Sequence, residues 1–398
     1  MNFLGIIAFA IALLFSVMVH EAGHFFTARR YGMKVTEFFL GFGKRIWSTR
    51  RGETEFGLKA IPAGGYCRIV GMSVHEKLTE EEKPRAFYIA SAPKRLVVLG
   101  AGSFLHFVLG FLILVILLAG VGTTAITNTV GQVSQCLAPS DQTTMVCSDS
   151  DLPSPALAAG IKAGDQIVAI NNQPIKEWKD AVLKIRSSAG RVLLINIKRG
   201  GEEIQLRVTP EEHLINGQKI GQIGVINKLG NKRENPLEAI TRSTDITRQL
   251  LKSSVTSLIS LPTKIAPLVR QTIGSEKRDP EGLVGVVGVA RVSGQTASDP
   301  RLAKSEKLAT FLLIIASLNI FVGVFNLLPL LPLDGGHMAI AIADGIRRSW
   351  ARSRGKPAPA PIDVEKLTPL TIVVFVLLAA LSLLLLAADI FNPVQLNL

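Results

Sequence analysis

The chain has 398 residues, 48% apolar and 19% charged, with three cysteines and no C-x-x-C pair, which argues against a cysteine-built zinc site. A mean hydropathy of +0.35 is high for a soluble protein and points to membrane helices joined to a water-exposed part. The formal charge of +13 comes from basic residues that flank apolar runs, so the expected partner is the anionic surface of a lipid bilayer and not nucleic acid.

The first run, 3–19, leads directly into His20-Glu21-Ala22-Gly23-His24. It has no basic n-region and no small-residue cleavage site, so it is expected to remain as a first membrane helix (1–24) and not to leave as a signal peptide. On a helix, His20 and His24 share one face, a turn apart, with Glu21 beside them. Two imidazoles in this spacing suit Zn2+, and the carboxylate suits proton transfer from metal-bound water. A surface His-Glu pair at a membrane end is the plainer reading. It leaves a carboxylate uncompensated at a depth where that costs about 2.5–3.5 kcal/mol. Arg29, Arg30 and Lys34 follow, and no cation precedes them. The positive-inside rule therefore puts the N-terminus outside and the His pair toward the cytoplasm.

Residues 25–95 are expected to hold a β-hairpin region followed by a charged cytoplasmic loop. Gly41-Phe42-Gly43, the turn near 50–53 and Gly64-Gly65 punctuate apolar segments. Such a hairpin offers a strand edge to an extended peptide, or is simply structural; the residues leave both open. The second run, 96–122, crosses back and carries His106, for which a packing or hydrogen-bonding role is expected.

Residues 127–212 alternate small-residue helix, Gly-Asp turn and apolar strands, with Gly200-Gly201 as a hairpin turn. This order resembles a bacterial PDZ domain, which implies a groove that takes an extended peptide by strand addition. An inert spacer is the alternative. An apparent insertion here carries Cys136 and Cys147, which can pair if the module faces an oxidising compartment. Residues 213–307 are expected to form an extracytoplasmic linker, amphipathic over 236–270 and lying along the membrane; 282–290 is too short to span.

The third membrane helix is expected within 308–337. Pro329 and Pro332 should break it just before Asp334. A basic, proline-rich cytoplasmic loop (338–369) and a fourth membrane helix (370–390) follow. The first and third helices run the same way, so their ends meet at one face and depth. Asp334 is then the expected third ligand beside His20 and His24, with His337 second in rank. Three protein ligands leave a position for water, as in a catalytic zinc site.

With these residues in place, His20-Glu21-Ala22-Gly23-His24 and Leu333-Asp334-Gly335-Gly336, separated by the PDZ-like module, resemble the site-2 protease family of intramembrane metalloproteases. The likeness is to its bacterial and plastid branch with one PDZ domain. The resemblance implies a polytopic α-helical membrane protein of about four transmembrane helices, with a membrane-associated β-hairpin and an extracytoplasmic PDZ-like α+β domain. It implies a zinc endopeptidase acting on single-pass membrane substrates, such as anti-sigma factors, already trimmed outside. It also implies that Gly41, Phe42 and Gly43 begin a membrane-reentrant hairpin and that Asn326 helps hold the substrate, although Asn326 also suits a helix cap. The family commonly has Asn where His106 stands. The expected location is a cell membrane, with the site toward the cytoplasm; no transit peptide is visible, which favours this over a plastid membrane. A catalytically inactive membrane-anchored PDZ scaffold and a zinc transporter are the competing readings. The first is opposed by an intact Glu21. The second is opposed by polar groups clustering at two helix ends and not through the helices.

Overall fold

The computed structural model describes residues 3–137, 147, 152–215, 218–274, 276, 278–279 and 282–394. The chain divides into one unit formed by Met1–Val121 with Glu234–Leu398 and a second formed by Gly122–Arg233.

The first unit opens with α1, Phe3–Arg30, 28 residues. The helix runs past the expected end at residue 24, so the His pair lies inside it. It stops at Gly32, whose φ of +79° gives the left-handed turn that closes a helix C-terminus. Two long bulged strands follow, β1 (Val35–Arg51) and β2 (Thr54–Ile69). Both bend back: residues 37–40 are flanked on one side by 65–68 and on the other by 55–58, while 45–51 pairs with 54–59. Residues 65–68 are thus an outer strand, and among the described residues no further strand pairs with their free side. Next comes α2, Ala92–Val115, continued by a π-helical stretch over Ile116–Val121.

The second unit is a sheet with two helices. Its elements are β3 (Thr123–Val133), α3 (Pro155–Ala158), β4 (Gln166–Ile170), β5 (Gln173–Pro174), α4 (Trp178–Arg186), β6 (Leu193–Arg199), β7 (Glu202–Val208), β8 (Glu211–Ile215), β9 (Gln218–Gln222) and β10 (Val225–Lys232). Strand order is β10-β3-β4-β6-β7, with β5 on β4 and β8-β9 as a separate pair. Alternate residues Leu193, Ile195 and Ile197 point inward with Ile167, Ile170, Ala181 and Ile185 to make an apolar core. Buried Asp165 binds Arg199 through two 2.7 Å contacts, clamping the turn before β4 to β6. Cys136 and Cys147 are joined in a disulfide. The unit runs past the expected limit of 212, because β8 to β10 complete it.

The chain then returns to the first unit. Helix α5 (Pro236–Thr272) starts where Asn235 Oδ1 accepts the Glu238 N–H at 2.9 Å, with Pro236 at the first helical position. It matches the expected helix over 236–270 and packs against α2. Helix α6 (Val286–Ser298) follows, then α7 (Lys304–Asn326), α8 (Asp334–Ser353) and α9 (Thr368–Phe391). α7 ends ahead of Pro329 and Pro332, and α8 begins at Asp334. The stretch read as a loop from residue 338 is therefore helical as far as Ser353. Its apolar residues Met338, Ile342, Ile346 and Trp350 recur four apart, a helical spacing that the loop reading passed over. Among the described residues, four helices are long and apolar enough to cross a membrane: Phe3–Arg30, Ala92–Val121, Lys304–Asn326 and Val364–Phe391.

Glycines let three of these approach closely. A Cβ on Gly23 would sit 2.7 Å from the Ala101 backbone of α2, and one on Gly110 would sit 2.9 Å from Ile320 of α7. Small residues at such crossings are how helices pack where lipid offers no hydrophobic drive.

Candidate metal centre

α1 and α8 bring three donors together. His20 Nε2 and His24 Nε2 are 3.1 Å apart, and Asp334 Oδ2 lies 3.2 Å from the first and 3.4 Å from the second. Both imidazoles are buried, and Asp334 Oδ2 accepts no hydrogen bond although it is buried. His24 Nδ1 is 2.8 Å from the Val98 carbonyl. A carbonyl only accepts, so Nδ1 carries the proton and Nε2 presents a lone pair. His24 Nε2 and Asp334 Oδ2 both present lone pairs to one space, and with His20 Nε2 unprotonated as the third donor a cation there would relieve their repulsion. Ligands at 2.0–2.1 Å on the corners of a tetrahedron are about 3.3 Å apart, so these three atoms match one face of a four-coordinate zinc-type site. No other group of three or more His, Cys, Asp or Glu among the described residues meets the same spacing.

α2 forms the back wall. A Cβ on Gly102 would fall 2.5–2.7 Å from the His20 ring, so only glycine leaves room for that imidazole. Val98 and Gly102 are a turn apart on the helix, one orienting His24 and the other seating His20. One turn further on, His106 stands with its ring centroid 5.0 Å from that of His20. His106 Nδ1 is 2.8 Å from Asn319 Oδ1, and Asn319 Nδ2 donates to Ser16 Oγ at 3.0 Å and to the Ile315 carbonyl at 2.8 Å. All three side chains are buried. His106 thus has the hydrogen-bonding place the sequence left without a partner.

Glu21 sits on the hairpin side. The Cys67 backbone amide lies beside its carboxylate. A Cβ on Gly65 would meet Met18 Sδ at 2.8 Å and Glu21 Cγ at 3.3 Å. The outer strand 65–68 therefore runs along Glu21. A cavity of about 550 Å³ opens beside it, lined by Tyr66, Cys67, Ile69, Met72, His75 and Glu365 among others.

Of the other residues singled out, Gly41 and Gly43 have φ of +89° and +84° and turn the first strand. A Cβ on Gly41 would meet the Ile61 carbonyl oxygen at 2.8 Å. Phe42 is half exposed and stacks on Tyr66 at 6.1 Å. These residues shape the hairpin, but it is Gly65 and Cys67 that reach Glu21. Asn326 is the last residue of α7 and half-buried; the buried amide beside the donors is Asn319, seven positions earlier. Nothing in the pattern of α7 marks Asn319, because its partners lie far away in the chain.

The family model described as Peptidase family M50 matches residues 8–364. Zinc metalloprotease Rip1 of Mycobacterium tuberculosis is 37% identical, over 98% of this chain and 98% of its own. Its counterpart in Mycolicibacterium smegmatis is 36% identical over the same shares. Regulator of sigma-E protease RseP of Salmonella typhimurium is 27% identical, over 83% of this chain and 88% of its own.

Proposed function

The chain belongs to peptidase family M50, the site-2 proteases, and on that premise we propose that it is a zinc metalloendopeptidase cutting a peptide bond within or beside a membrane helix of another protein. The observation that carries this is the donor triangle of His20, His24 and Asp334, with edges of 3.1, 3.2 and 3.4 Å. These residues hold the ion and leave one position for water. Zinc bound there supplies a Lewis acid and lowers the pKa of its water to about 7. Glu21, beside the Cys67 amide, takes the proton of the attacking water and returns it to the leaving amine.

A substrate helix has its amides bonded internally and has to unwind before attack. The free side of 65–68 can take the unwound segment as an added strand, which lays its backbone along Glu21. The reaction takes place in a cell membrane with the site toward the cytoplasmic side, a reading supported by Arg29, Arg30 and Lys34 at the end of the first helix. Substrates are single-pass proteins, of the anti-sigma-factor kind, already shortened outside. The sheet unit acts as an extracytoplasmic PDZ module that holds back intact ectodomains.

The test is cleavage of a labelled transmembrane peptide by the purified chain in detergent. Glu21→Gln should keep its metal and cut about 10²–10⁴-fold more slowly. Equal cutting by that variant removes Glu21 as the base, and a wild-type chain that cuts no such peptide overturns the assignment. Deleting 122–233 should expose uncut precursors to cleavage; continued protection overturns the filter.

A further inference from the structure

Helix α8 carries Asp334 at its first residue and packs on α2, whose Val98 and Gly102 contact the two imidazoles. The seam between them is smooth. Met338 and Ala341 share one apolar cluster with Val98 and Leu99. A Cβ on Gly100 would touch Met338 Cε at 3.7 Å, and one on Gly345 would sit 3.0 Å from the Ala92 Cβ. Small and flexible apolar side chains set how closely two helices approach, but hold their sliding weakly. A slide of one residue moves a helix about 1.5 Å, whereas a metal ligand has to be placed to about 0.2 Å.

One polar pair crosses this seam. Arg95 Nη1 of α2 is 3.1 Å from Asp344 Oδ2 of α8, and both side chains are buried. Asp344 Oδ1 also accepts the Ile362 N–H at 2.9 Å, which ties the chain after α8 to the same carboxylate. Arg95 Nε and Nη2 have no partner. A buried pair with unsatisfied donors is a poor source of stability, since apolar residues of similar size often do as well or better. What it supplies is a fixed point along the helix axes, as buried polar groups do in helical bundles.

We propose that Arg95 and Asp344 are positioning residues: their contact fixes the register of α8 on α2 and so sets Asp334 at bonding distance from the metal held by His20 and His24. This rests on the assignment of Asp334 as a ligand. It goes beyond that assignment by naming what places the carboxylate.

The test uses the full chain in detergent, stripped of metal and titrated with Zn2+, and with Co2+ as a visible-band probe of coordination. The apolar double variant Arg95→Met with Asp344→Leu should still melt cooperatively in its apo form, losing only the Ile362 N–H bond to Asp344. It should still bind Zn2+ about 10–100-fold more weakly, with an altered Co2+ band. The reversed pair, Arg95→Asp with Asp344→Arg, should regain part of the affinity, short of wild type because Asp344 also meets the Ile362 N–H and Arg347. Wild-type affinity and an unchanged Co2+ band in the apolar pair overturn the proposal. Should the apolar pair fail to fold, Asp344→Asn decides: its single amide oxygen cannot serve both Arg95 and the Ile362 N–H, and unchanged zinc affinity in it also overturns the proposal. A wild-type chain that binds neither ion overturns the metal assignment, and this proposal with it.

Discussion

The Nδ1–H of His24 donates to the Val98 carbonyl across 2.8 Å, which turns the bare Nε2 of that ring toward Asp334. A backbone group on α2 thereby selects the tautomer of a residue on α1. The carboxylate that completes the triangle comes from more than three hundred positions later in the chain. The site is the meeting point of α1, α2 and the start of α8, and its stability is that of their packing.

The seating of His20 predicts a contrast between two neighbouring glycines. Gly102→Ala places a methyl group within 2.5–2.7 Å of the imidazole, whereas Gly100→Ala meets only Met338 Cε at 3.7 Å. Overpacking of the first kind costs about 1–3 kcal/mol. Gly102→Ala should therefore shed zinc to a chelator at least ten-fold faster than wild type, by metal analysis after timed challenge. Gly100→Ala should match the wild-type chain.

Asn319 joins His106 of α2 to Ser16 of α1. Asn319→Leu leaves those two buried groups without their shared partner, at a cost of about 1–3 kcal/mol for an unsatisfied buried group. Thermal unfolding in detergent should show the loss. Ser16→Ala, which removes one outer member of the chain and no ring contact, should lose less.

The loop after the hairpin is tied to the chain ahead of α9 by His75 Nε2–Asp363 Oδ2 at 3.0 Å and by the Ser73 hydroxyl, which donates to Glu365 at 2.6 Å. The hydrogen bond to Asp363 raises the His75 pKa above its ordinary value, and the same bond lowers that of Asp363. The sign follows from each shift. The His75 contribution is complete below its ordinary pKa of about 6.5 and fades as pH rises through the raised value. The Asp363 contribution fades as pH falls below the usual carboxylate range. Hydrogen exchange of residues 362–366, corrected for intrinsic rates, should be slowest near pH 5–6 and faster at pH 8.5, and His75→Ala should remove the difference.

The helical spacing of His20 and His24 was readable because a period of 3.6 places them together whatever the rest of the chain does. Asp334 was readable from helix direction and from the cost of a lone carboxylate at that depth. The parts that fix those ligands were not. Val98 acts through its backbone, which has no sequence signature, and Gly102 differs from the other glycines of α2 only by its neighbour. Arg95 with Asp344, and His106 with Asn319, join positions 249 and 213 residues apart. The hairpin was legible as β structure from its turns. Its double fold, which turns Gly65 and not Gly41 toward Glu21, depends on bulges whose register composition does not set.

The most direct measurement is zinc content of the purified chain and four single variants after equilibration with a zinc buffer. The account predicts one zinc per chain in wild type and in Glu21→Gln, and its loss in His20→Ala, His24→Ala and Asp334→Ala alike. A folded Asp334→Ala chain that keeps zinc at wild-type affinity would contradict it.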